Sequence, residues 1–156
     1  SESIRKGLEA FRGVKRRFEY RGTCGNMKVF DDYAHHPTEI KATLESGKML
    51  QFNNVIAVFQ PFTFSRTELL KNEFIDALSA ADKVVLMPIM GSREINTTGI
   101  SSDDLANGLK CAYVVENHRE AAEKALSIAN SGDVIITMGG GDIYKSAYIM
   151  RDILKD

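Results

Sequence analysis

The chain has 156 residues, 44% hydrophobic and 26% charged, the profile of one soluble domain long enough to bury a real core. Its 20 Lys and Arg against 21 Asp and Glu are scattered rather than striped, which argues against nucleic acid or a membrane surface as partner, and no apolar run approaches the roughly 20 residues of a membrane span. Ser1 to Lys6 lack the apolar core of a signal peptide, and Cys24 and Cys111 make no metal or redox spacing, so both read as reduced thiols of a cytoplasmic protein.

Ile4, Leu8 and Phe11 recur at helical spacing before Gly13, which predicts a helix over 1–13. That helix has no N-cap region ahead of it, and the expectation is a chain that starts at a domain boundary inside a longer protein. Arg17 to Arg21 alternate polar and apolar, Gly22 to Asn26 carry turn residues, and Met27 to Phe30 alternate again, which predicts a hairpin. The second strand leads into Asp31-Asp32-Tyr33-Ala34-His35-His36. Pro37 then opens a helix with Ile40 and Leu44 on one face, expected to end near Gly47.

Val55 to Phe59 is an apolar run suited to a strand buried on both faces. After a loop from Gln60, Ser65-Arg66-Thr67-Glu68 has the spacing of a capping box. It would start one helix burying Leu70, Phe74 and Leu78, with Arg66 at the first helical position. Lys83 to Met87 predicts a strand, Gly91 to Gly99 a long polar loop of the kind that is often functional, and Ser101 to Asp104 the start of a short helix. A strand over Ala112 to Val115, a helix capped by Asn117 to Glu120 with Ala122, Ala125, Leu126 and Ala129 inward, a strand over Val134 to Met138, the Gly139-Gly140-Gly141 turn and a helix over Ile143 to Leu154 complete the chain. Strands alternating with helices predict a single α/β domain over 1–156, a Rossmann-like, doubly wound, mainly parallel sheet with the hairpin at one edge.

In such a sheet, ligands bind beyond the carboxyl ends of the strands. Three strand ends converge there, bringing Asp32, Tyr33 and His35, then Gln60 to Arg66, then Gly139 to Asp142. Asp and His are also common caps before a helix, but five chemically capable residues within seven positions exceed what capping needs. Arg66 near a helix N-terminus would hold an anion by its guanidinium fork and the free backbone N–H groups, or else swing into solvent. The glycine triplet lacks dinucleotide and P-loop spacing, and close packing of helix on strand explains it as well as a phosphate cradle does. His118, in the capping segment of a helix on the opposite side of the sheet, reads as solvated surface. The Asp-His cluster has no second group of ligands to complete a metal site.

The combination Gly13-Val14-Lys15-Arg16-Arg17-Phe18, then Asp31 to Glu39, then Phe59-Gln60-Pro61 with Ser65-Arg66-Thr67 resembles the Mur ligases of peptidoglycan synthesis. The likeness runs over essentially the whole chain and corresponds to the C-terminal domain of a three-domain enzyme. It implies an ATP- and Mg2+-dependent ligation, with the P-loop and metal site in the absent N-terminal and central domains, which would be this chain's partners. The family pattern nearest to it is that of the members joining L-alanine to UDP-N-acetylmuramate through an acyl phosphate, which adds cell wall, cell shape and cell division to the expectations.

By the resemblance, Arg17 reaches the phosphates of ATP, Asp32 takes the ribose hydroxyls, and Tyr33 lies near the nucleotide. His35 and Arg66 line the amino-acid site, and Arg17 and His35 are the expected catalytic pair. One departure is plain: related ligases carry His-Arg after Gln-Pro, where this chain has Phe62-Thr63. Ligases attaching a recycled tripeptide, which share the Asp-His-His-Pro segment, are the nearest alternative within the family, and a ligase attaching another amino acid is a further one. A non-catalytic nucleotide-binding module and a metal-dependent phosphoesterase are the alternatives from other classes.

Overall fold

The computed structural model describes residues 14–155 together with Glu2 and Lys6. The helix expected over 1–13 therefore lies outside the described residues. Strands β1 (Glu19–Cys24), β2 (Met27–Asp32), β3 (Val55–Phe59), β4 (Lys83–Leu86), β5 (Ala112–Val114) and β6 (Val134–Met138) form one sheet in the order β1-β2-β6-β3-β4-β5. Every neighbouring pair is parallel except β1 and β2, which make the expected antiparallel edge hairpin. Its turn is tighter than the run of turn residues suggests. Cys24 pairs with Met27, leaving a two-residue loop whose first member, Gly25, has φ +59°, a conformation glycine adopts without steric cost.

Helices α1 (Pro37–Met49), α2 (Phe64–Leu69), α3 (Lys71–Leu78), α4 (Ser102–Ala106), α5 (His118–Ile128) and α6 (Tyr144–Ile153) cover both faces. The strands supply two cores because side chains alternate. Ala57, Phe59, Ile136 and Met138 meet Ile40 and Leu44 of α1, Phe74 and Leu78 of α3 and Leu105 of α4 on one face. Ile56, Val58 and Ile135 meet Ala121, Ala122 and Ala125 of α5 and Met150 of α6 on the other. Strands β3 and β6 are buried along their whole length, as their unbroken apolar runs require of central parallel strands. Among the described residues no helix is long and apolar enough to cross a membrane.

Helix α1 ends at Met49, near Gly47 as expected, but the glycine is not what stops it. A Cβ on Gly47 would lie 2.9 Å from Ile136 Cδ1, so the glycine serves close approach of helix to strand rather than termination. The single helix expected from Ser65 is broken at Leu70 (φ −107°, ψ 22°) into α2 and α3.

Candidate functional site

Register places Asp32, Met138 and Phe59 in one row, so the segments leaving β2, β6 and β3 start side by side at the carboxyl edge, as the sequence predicts. The floor of this edge is an ion pair that sequence reasoning missed. Asp31 is 0% exposed, and one of its oxygens accepts from Arg16 Nε at 2.9 Å while the other accepts from Thr137 Oγ1 at 2.7 Å. The remaining arms of the Arg16 fork donate to the carbonyls of Gly141 and Gly139, each at 2.8 Å. Burying a carboxylate is costly unless it is paired and hydrogen-bonded in this way. The guanidinium also lies over the rings of Tyr33 and Tyr144, at 5.1 and 4.8 Å.

Backbone geometry decides which of the two adjacent arginines turns inward. Arg16 (φ 57°) and Phe18 (φ 45°) are left-handed, uncommon for residues with a Cβ. They are held there by Tyr33 N–H donating to Arg16 O at 2.7 Å and Phe18 N–H donating to Asp32 Oδ2 at 2.8 Å. Arg17, between them, is left outside, exposed, with Cζ 5.8 Å from the Tyr33 ring. The signal in the sequence is the doublet itself, and the backbone on either side of Arg17 sets which member turns inward.

Asp32 is 6% exposed, and its oxygens accept from the backbone N–H groups of Phe18 and Ala34, both at 2.8 Å. It braces the turn first, with one lone pair per oxygen left over. Tyr33 is exposed and meets the His35 ring edge-on at 5.2 Å. His35 Nδ1 lies 3.0 Å from Tyr33 O, and because a carbonyl only accepts, Nδ1 is the donor of this bond, with Glu39 Oε2 3.6 Å from the same nitrogen. His36 is the N-cap of α1: its Nδ1 accepts from Thr38 N–H at 3.4 Å, and Glu39 reaches back to the N–H groups of His35 and His36 at 3.1 and 3.2 Å. Burial works against the Glu39 charge, but those two amides, with His35 and Arg17 nearby, outweigh it and hold the carboxyl below its ordinary value.

Arg66 stands deeper in its helix than the capping-box spacing predicts. The N-cap is Thr63, at φ 66° and with no side-chain cap bond, so Arg66 is the third helical residue. Ser65 does not cap the helix. Its N–H and Oγ donate to the Glu94 carboxylate at 2.9 and 2.5 Å. The anionic cap thus comes from the Gly91 to Gly99 loop, too far along the chain for a local spacing rule to detect. Thr63 N–H donates to Met90 O at 2.8 Å and Phe62 bridges Met90, which stitch that loop to the end of β3. Arg66 lines a cavity of about 420 Å³ with His36, Thr63, Ser65 and Glu94. The two histidines are thereby divided: His36 shares the cavity with Arg66, while His35 lies against Tyr33 and Gly140. The hydroxyl and N–H of Ser65, with Arg66 adding its charge, hold the Glu94 carboxyl below the usual range.

The glycine triplet presents carbonyls to Arg16 and sits under close contacts. A Cβ on Gly139 would lie 3.0 Å from Gln60 O, and one on Gly141 would lie 2.7 Å from Met90 Sδ. Close packing accounts for it, as one of the two sequence readings holds. His118 departs from its expectation as solvated surface. Helix α5 lies on the far face, but its N-terminus follows β5 and so reaches the same carboxyl edge, where His118 Nε2 meets Asp142 Oδ1 at 3.0 Å. Lys145 Nζ donates to Asp142 Oδ2 at 2.9 Å. Burial raises Asp142, but Lys145 and His118 outweigh it and hold the carboxyl below its ordinary value. Among the described residues no group of three or more His, Cys, Asp and Glu is placed to hold a metal ion.

Residues 16–141 match the family model described as Mur ligase, glutamate ligase domain. The UDP-N-acetylmuramate–L-alanine ligase of Lachnospira eligens is 50% identical over 99% of this chain and 34% of its own length. The enzyme of that name from Clostridium perfringens is 43% identical over 93% of this chain and 33% of its own length. The crystal structure of the UDP-N-acetylmuramate-alanine ligase from Thermotoga maritima superposes with a TM-score of 0.73 at 29% identity, covering 96% of this chain and 32% of that one. The chain spans about a third of the length of the curated relatives it matches.

Proposed function

We propose that this chain, which belongs to the Mur ligase family, acts as the C-terminal domain of a three-domain, ATP-dependent ligase joining L-alanine to UDP-N-acetylmuramate in cell-wall synthesis. The observation that carries the reading is the division of the carboxyl edge into two cationic positions. One is Arg17 beside the exposed Tyr33 ring, and the other is Arg66 in its cavity with His36 and Glu94. A guanidinium with unspent donors next to an aromatic face suits the phosphates and base of ATP, and the spare lone pairs of Asp32 suit ribose hydroxyls. A second guanidinium in a small cavity suits the carboxylate of an amino acid. His35 stands on the segment between the two, and its imidazole would accept the proton of the attacking amine.

In the proposed reaction the nucleotide-sugar carboxylate attacks the γ-phosphorus of ATP and ADP leaves. The amine of L-alanine then attacks the acyl phosphate carbon and inorganic phosphate leaves. Phosphoryl transfer depends mainly on positioning and charge, which is what Arg17 contributes from this side of the cleft. Mg2+ would accompany ATP on the other domains, and no step is assigned here to a metal held by this chain. The test is ADP release by the full-length protein with ATP, UDP-N-acetylmuramate, magnesium and L-alanine, each omitted in turn. ADP formation that needs all of them is expected, with none from the 156-residue chain alone. Turnover by the isolated chain, or indifference to L-alanine, would overturn the reading.

A further inference from the structure

A free amino acid is a zwitterion, and the site as described supplies a partner only for its carboxylate. We propose that Glu94 holds the α-ammonium of the amino acid whose carboxylate Arg66 takes, making the Gly91 to Gly99 loop the second wall of the amino-acid site. This rests on the reading of Arg66 given above.

Glu94 and Arg66 line the same cavity and approach it from different elements, one from the loop after β4 and one from α2. They are oppositely charged, yet no ion pair within 4.0 Å joins them among the described residues. Still, the arginine is near enough to help keep the Glu94 carboxyl ionised. Two opposite charges that face one cavity without closing on each other leave room for a molecule carrying the complementary pair. An α-amino acid, with its ammonium and carboxylate on one carbon, is the smallest such molecule.

Glu94 is also oriented for the task. Both of its oxygens are fixed by Ser65, one on the hydroxyl and one on the N–H, the Phe64 N–H adds to the hold, and the exposed carboxylate, with about four lone-pair sites, still has capacity for a further donor. Two other acceptors lining the cavity are already engaged. The Thr63 carbonyl takes Thr67 N–H at 3.2 Å and Thr67 Oγ1 at 2.7 Å, and His36 Nδ1 takes Thr38 N–H. Among the described residues Glu94 is the one carboxylate lining this cavity, and an ammonium binds a carboxylate more strongly than a neutral acceptor.

The experiment is steady-state kinetics of the full-length ligase with L-alanine and ATP varied separately. Glu94→Gln keeps an oxygen for Ser65 and removes the charge. KM for L-alanine should rise about tenfold, as loss of one charge-assisted hydrogen bond implies, with KM for ATP within about twofold of wild type. Glu94→Asp should fall between. Glu68→Gln, which loosens the same loop at Thr98 from outside the cavity, should raise KM for L-alanine by less than about twofold. An unchanged KM for L-alanine in Glu94→Gln, or an equal rise in Glu68→Gln, would overturn the proposal and leave Glu94 as a loop anchor. Arg66→Ala separates the two levels. A flat response there overturns the underlying reading of the amino-acid site, while a large response beside a flat Glu94 series overturns this proposal alone.

Discussion

The inner and outer sides of the carboxyl edge treat charge in opposite ways. On the inner side, Asp31 is fully buried, each of its oxygens is occupied, and every arm of Arg16 is spent on a carboxylate or a glycine carbonyl. On the outer side, Arg66 is half-buried, Glu94 is exposed, and the two line one cavity without pairing. The low-dielectric interior forces the first arrangement, because a buried charge left without partners costs several kcal/mol. Ligand binding needs the second, because donors already spent have nothing to offer. Arg16 and Arg17 show the same contrast at neighbouring positions. The left-handed backbone on either side of Arg17 gives one arginine to the scaffold and the other to the surface.

The comparison is broken most forcefully from the inside. Arg16→Ala takes the close ion pair from the buried Asp31 carboxylate, leaving it Thr137 Oγ1 and Arg21 at 4.0 Å, and should cost about 3 kcal/mol in urea unfolding. Arg17→Ala should stay within about 0.5 kcal/mol of wild type. Equal losses from the two would erase the distinction between floor and rim. Asp32→Ala comes next, since it orphans the N–H groups of Phe18 and Ala34. Each unsatisfied amide costs about 1–3 kcal/mol where water cannot replace the partner. A measurable fall in Tm is expected, together with weaker ATP binding in the full-length enzyme. A variant that loses ATP affinity at unchanged Tm would show that the carboxylate serves the ligand alone.

Gly139→Ala should also destabilise, by about 1–3 kcal/mol. Its φ of +154° disfavours a Cβ, and the obstructing atom is the Gln60 carbonyl, which cannot swing aside as the Met90 side chain beyond Gly141 can. Thermal unfolding of the two alanine variants side by side measures the difference. The smallest effect is electrostatic. Asp142 is held below its ordinary value, so its ion pairs contribute stability above about pH 4 that is lost as the pH falls through the lowered folded value. Asp142→Asn should flatten that part of the acid limb by under about 1 kcal/mol, because the group is partly exposed. An unchanged acid limb would show that the contacts with His118 and Lys145 add nothing.

Much of the fold was legible because it rests on local chemistry. The apolar runs of β3 and β6, the proline opening α1, the helix caps at Ser101 and Asn117, and the glycine-bearing hairpin each declare themselves within a few residues. The convergence of three strand ends followed from strands alternating with helices. What stayed hidden depends on long-range partners. Ser65 reads as a cap until Glu94 arrives from another loop to bind it. Gly47 reads as a stop until Ile136 is seen beneath it. His118 reads as solvent-facing until the loop after β6 brings Asp142 to it. The Arg16-Arg17 doublet was visible as a motif, but which side chain turns inward is set by two left-handed residues that no propensity predicts.

The central claim is that Arg17 serves the nucleotide and Arg66 the amino acid, and crossed kinetics on the full-length enzyme test it most directly. KM for ATP and KM for L-alanine are measured in Arg17→Lys, Arg17→Ala, Arg66→Lys and Arg66→Ala. Lysine keeps the charge but loses the two-pronged fork, and alanine loses both. The account predicts two separate graded series. KM for ATP should rise from wild type through Lys to Ala at position 17 with L-alanine barely affected, and the reverse should hold at position 66, with the alanine variants displaced about ten- to a hundredfold. If both positions moved the same constant, or if KM for L-alanine stayed flat across the Arg66 series, the division of the carboxyl edge into a nucleotide side and an amino-acid side would be contradicted.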